Sequence, residues 1–143
     1  MTETTTSEIA PKTVATLLDN PTTLLFARFC LALPFLVGGL AKLLYWSDGV
    51  AEMERVGLAP AWAFNLAALA TQLVGSALVI LDRKTWLGAG ALGVFTVVAT
   101  FLDHRFWELN SAARMAQMNA FLEHAAIGAG FILVSVVSLR RER

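Results

Sequence analysis

The chain has 143 residues, of which 57% are hydrophobic and only 15% charged, whereas a soluble domain of this size carries about a quarter charged residues. Its eleven basic and eleven acidic side chains cancel, so no basic excess points to nucleic acid. Mean hydropathy is +0.63, and much of the surface must therefore face something other than water.

Residues 1–20 form a Thr-rich polar tail with a short interfacial turn expected at Val14 to Leu18. The tail lacks a basic start and a clear cleavage site, so the first apolar run is expected to stay in the mature protein. A bilayer core needs about 20 apolar residues in a helix. Four stretches meet this: 24–44, 62–81, 86–102 and 121–139. Residues 21–143 then form one membrane domain, an all-α four-helix transmembrane bundle. Trp46, Trp62, Trp86 and Trp107 fall at span edges, as an aromatic belt requires. Pro34 lies inside the first span and is expected to bend it.

Four spans place both termini on one side. That side collects Lys12, Arg28, Arg83, Lys84, Arg140, Arg141 and Arg143, against Lys42, Arg55, Arg105 and Arg114 on the other. The excess predicts cytoplasmic termini in a multi-pass protein of a bacterial inner membrane. The connections 45–61 and 103–120 would then face outward. Gly88, Gly90 and Gly93 match a dinucleotide-binding pattern, but that motif must open a helix after a strand. Inside a span, small residues serve helix packing instead.

Polar residues within spans are candidate functional groups. Arg28, Phe35 and Lys42 share one face of the first span. Asn65, Gln72, Ser76 and Val79 share one of the second. Gly93, Thr96, Thr100 and His104 align on the third. His124, Gly128, Phe131, Ser135 and Ser138 align on the fourth. Topology puts Lys42, Asp103, His104, Trp107, Glu123 and His124 at one level, with Gln72 deeper. A structural reading pairs Lys42 with Glu123 or Asp103. A ligand reading makes the level a quinone site, in which His or Lys donates to a head-group carbonyl and Trp107 packs on the ring. A haem or metal site on His104 and His124 has little support, because two histidines without a diagnostic spacing define neither. Cys30 has no base near it in sequence, and no catalytic constellation is recognisable.

Several segments together resemble the DoxX family of small bacterial and archaeal membrane proteins. They are Gly38-Gly39-Leu40-Ala41-Lys42-Leu43, Gly57-Leu58-Ala59-Pro60, Gln72-Leu73-Val74-Gly75, the run from Thr100 to Trp107, and the run from Asn119 to His124. The resemblance covers residues 24 to 139. Members often carry Glu where Gln72 stands, and a Lys-Asn or similar pair near Glu123-His124. The family is similar to the large subunit of an archaeal thiosulfate:quinone oxidoreductase. Other members are linked to membrane assemblies that handle thiols and oxidative stress. The resemblance therefore implies an accessory or anchoring subunit of a redox system, embedded in lipid, with a protein partner or a second copy. Catalysis, if any, would belong to a quinone-linked oxidoreductase. Lys42, His104, Trp107, His124, Glu123 and Gln72 are the expected head-group contacts, with Arg28 and Thr100 in support. The alternative is a structural subunit without chemistry, and transport is a weaker third class, since no inverted repeat is evident.

Overall fold

The computed structural model describes residues 11–110 and 112–141. Residues 1–10 of the expected polar tail lie outside the described residues. The rest of that tail forms helix α1, Lys12–Asp19, which contains the expected interfacial turn. Asn20 then caps the next helix: its side-chain Oδ1 accepts from Thr22 N at 2.8 Å. Pro21 follows at the first helical position, where its missing N–H costs nothing.

The membrane helices are α2 (Pro21–Leu44), α4 (Ala61–Ile80), α5 (Thr85–Asp103) and α6 (Ala112–Arg141). All four are long and apolar enough to cross a membrane. Helices suit that setting because they satisfy every interior backbone group within the segment. Among the described residues there is no strand. α2 is helical through Pro34. Two departures from the sequence expectation concern the connections. Residues Trp46–Arg55 form an amphipathic helix, α3, instead of a loop. α6 begins at Ala112, well before the apolar stretch at 121, and its 30 residues are about 45 Å long.

Burial follows the helical periodicity. Arg28, Phe35 and Lys42 are all buried on α2, as are Asn65, Gln72, Ser76 and Val79 on α4 and Thr96 and Thr100 on α5. The apolar core consists of Ala32, Phe35, Val79, Ala89, Leu92 and Phe131. Outward faces carry exposed Leu33, Val37, Val74, Val97 and Ile132, which lipid covers.

Glycines set the closest crossing. A Cβ on Gly88 would sit 2.8 Å from the Gly75 carbonyl oxygen, so α4 and α5 meet nearly backbone to backbone. Phe35 packs against Phe131 with ring centroids 5.3 Å apart and planes tilted by 58°, and joins α2 to α6.

The bundle has a terminal end, where α2 begins and α6 ends, and an opposite, distal end. A polar knot closes the terminal end. Arg28 Nη2 lies 2.6 Å from Asp82 Oδ2 in the 81–84 turn. Thr85 and Ser138 both donate to Asp82 Oδ1, at 2.7 and 2.9 Å. Asp82 sits at φ +53°, a left-handed conformation that aspartate tolerates better than most residues. Burial pushes its carboxyl pKa up, but the Thr85 and Ser138 hydrogen bonds and Arg28 outweigh that and hold it below the ordinary carboxylate value.

Candidate functional site

The distal end is organised differently. There the α4 residues Phe64 to Gln72 and the α5 residues from Trp86 and Leu87 on to Asp103 line an open cavity of about 1090 Å³ that runs along most of α5. α2 contributes Gly38, Ala41 and Lys42 to its wall, the α2–α3 junction Tyr45, and α3 Asp48, Glu52 and Met53. α4 and α5 are pinned together at Gly75 and Gly88, whereas a Cβ on Gly90 would meet nothing within 4 Å. Phe64, Val94 and Val98 line the cavity and are also exposed on the outer surface. Most of the wall is apolar.

Polar groups gather at the distal part of this wall. Lys42 is buried, and its ammonium donates to Glu52 Oε2 at 2.5 Å. Its partner is thus Glu52 of α3, not the expected Glu123 or Asp103. In the sequence the 45–61 segment is only a connection between spans, with no position for its carboxylates. Gln72 lies beneath, with its amide against the Gly38 backbone: a Cβ on Gly38 would stand 3.1 Å from Gln72 Nε2. Among the described residues, Gln72 Oε1 and both amide atoms of fully buried Asn65 are buried without a hydrogen-bond partner. Such orphans are costly in a protein interior.

His104 and His124 come together from α5 and α6, with ring centroids 4.8 Å apart and planes tilted by 58°. Both line the cavity. The rings lie against each other, which leaves no room for a macrocycle between them. Each is held through Nδ1. His104 Nδ1 faces Gln117 Oε1 at 2.5 Å. His124 Nδ1 is 2.8 Å from Thr100 Oγ1, which also lies 2.6 Å from the Thr96 carbonyl oxygen. Thr100 is buried and acts on His124 from behind.

The remaining expected residues lie elsewhere. Trp107 does not line the cavity. It packs in an aromatic cluster with Phe101, Phe106 and Phe121, at centroid distances of 6.3, 5.2 and 6.3 Å. Glu123 is exposed on α6 and is also outside the wall. Arg28 belongs to the terminal knot, about 21 Å along α2 from Lys42. Sequence reasoning missed Glu52, Gln117 and Asp82. The amphipathic spacing of Gly49, Val50 and Met53 was the available sign of α3; the partners of Arg28 and His104 had no local signal.

A family model described as DoxX matches residues 23–105. The chain is also similar to "Inner membrane protein YphA" of Escherichia coli strain K12, with 22% identity over 117 residues, covering 82% of this chain and 84% of that one. No solved structure matches it. The matched family region runs from the start of α2 through α4 and α5 to Arg105, and so includes most of the cavity wall: this membrane protein belongs to the DoxX family.

Proposed function

We propose that this chain is an accessory or anchoring subunit of a membrane redox system, and that its distal cavity receives a quinone-type ligand from the bilayer. The observation that carries the reading is the cavity itself. It is large enough for a drug-sized molecule and has an apolar track leading to Lys42, Gln72, His104 and His124. A lipid-soluble ligand with a polar ring and an apolar tail matches that division. The family resemblance to quinone-linked oxidoreductases supports it. The similarity to an E. coli protein named for the inner membrane supports that location, and the basic 81–84 turn supports cytoplasmic termini.

A structural role has one specific observation in its favour: Lys42 is already neutralised by Glu52. Extraction into lipid nanodiscs without detergent, followed by mass spectrometry of what co-purifies, separates the two. Bound quinone together with an oxidoreductase partner is the expected result. A chain carrying phospholipid alone contradicts the ligand reading.

A further inference from the structure

The hydrogen-bonding state of the two histidines decides what the cavity offers a head group. The Thr100 hydroxyl has a single proton. Its 2.6 Å contact with the Thr96 carbonyl consumes that proton, because a carbonyl oxygen only accepts. His124 Nδ1, 2.8 Å from the same hydroxyl oxygen, must then carry its own hydrogen and donate. His104 Nδ1 faces the Gln117 amide oxygen, another pure acceptor, so it too carries hydrogen. A neutral imidazole protonated at Nδ1 has a bare lone pair at Nε2. Among the described residues neither Nε2 has a partner. Gln72 Oε1, on the same wall, is a further acceptor without a donor. The donors, on Lys42 and on the Gln72 amide nitrogen, lie on α2 and α4 away from the two rings, and one Lys42 hydrogen is committed to Glu52.

The free ring atoms of the two histidines are therefore acceptors. Resting on the quinone reading above, we infer that the site selects the hydroquinone form, whose two hydroxyl groups donate, over the quinone, whose carbonyls only accept. A quinone oxygen placed beside Nε2 would set lone pair against lone pair and leave both unsatisfied. Thr100 and Gln117 act as positioning residues. They touch no ligand and fix which ring nitrogen carries the hydrogen, as partners of ligating histidines do elsewhere.

The test is calorimetric titration of the full chain in nanodiscs, without oxygen, with a short-tailed ubiquinone analogue in its oxidised and reduced forms. The reduced form is expected to bind about tenfold tighter. Thr100→Val, close in shape, frees the His124 ring to adopt either tautomer, and the preference should shrink to within about threefold, with helical circular dichroism unchanged. Nitrogen-15 spectra of labelled histidine should show both rings protonated at Nδ1. Equal affinities, or tighter binding of the quinone, would overturn the selection of the reduced form while leaving the cavity as a quinone site. Rings protonated at Nε2 would overturn it too. Binding of neither form would overturn both readings.

Discussion

Each end of α2 buries one cation against a carboxylate from a connecting segment, yet the two ends are built to different standards. At the terminal end, Arg28 meets Asp82, and that carboxylate also accepts from Thr85 and Ser138. Its oxygens are served from three helices, and among the described residues no buried polar atom of the knot lacks a partner. At the distal end, Lys42 meets Glu52, whose side chain is 48% exposed. Nearby lie an unpartnered Gln72 oxygen, an unpartnered Asn65 and a cavity. A satisfied buried network rigidifies, whereas a half-satisfied one costs stability. The difference separates an end that holds the helices together from an end that leaves polar capacity free for a ligand.

The largest effect is expected from breaking the satisfied end. Asp82→Ala leaves buried Arg28 without its counter-charge. It should cost about 2–3 kcal/mol, less than a fully buried pair because Asp82 keeps a third of its side chain exposed. Thermal unfolding in nanodiscs measures this, and Arg28→Met combined with Asp82→Leu should recover most of the loss. The carboxyl's lowered pKa gives the sign of the pH effect. Its stabilisation is fully present above the ordinary carboxylate value of about 3.9 and is lost as pH falls through the lower folded value. Asp82→Asn should remove that acid limb from the stability profile.

Next in size is a pair of glycines on α5. Gly88→Ala forces a methyl against the Gly75 carbonyl and should cost about 1–3 kcal/mol. Gly90→Ala faces open space and should be near neutral in the same melt. Equal effects would mean that α4 and α5 do not cross where the structure puts them. Lys42→Met should cost under about 1 kcal/mol, because it removes a buried charge and leaves Glu52 half in water. The smallest effect is expected on binding from Trp107→Leu. Trp107 lies outside the cavity wall, so quinone affinity should not change, and a tenfold loss would return it to the site.

Much of this contrast was legible in the sequence. Length and apolarity marked the four spans, and helical spacing put Arg28, Phe35 and Lys42 on one inward face. Depth alone brought His104 and His124 to the same level. What spacing could not supply was partnership between distant segments. Lys42 found Glu52 because a polar connection folded into α3 and packed through Gly49 on the distal half of α4, where a Cβ on Gly49 would collide with the Asn65 side chain. Arg28 found Asp82 because a short turn between α4 and α5 delivers a carboxylate beside α2. Trp107 shared the right level but not the right face, since a short 3-10 turn at Phe106–Glu108 directs it into aromatic neighbours. Level along a helix is readable from hydropathy; azimuth after a turn is set by packing.

Photolabelling with an azidoquinone in nanodiscs, mapped by peptide mass spectrometry, tests the central claim most directly. The account predicts labels on the distal wall, in the segments holding Lys42, Gln72, His104 and His124, that excess unlabelled quinol competes away. Labels scattered over the lipid-facing surface, or concentrated around Arg28 and Asp82, would contradict it.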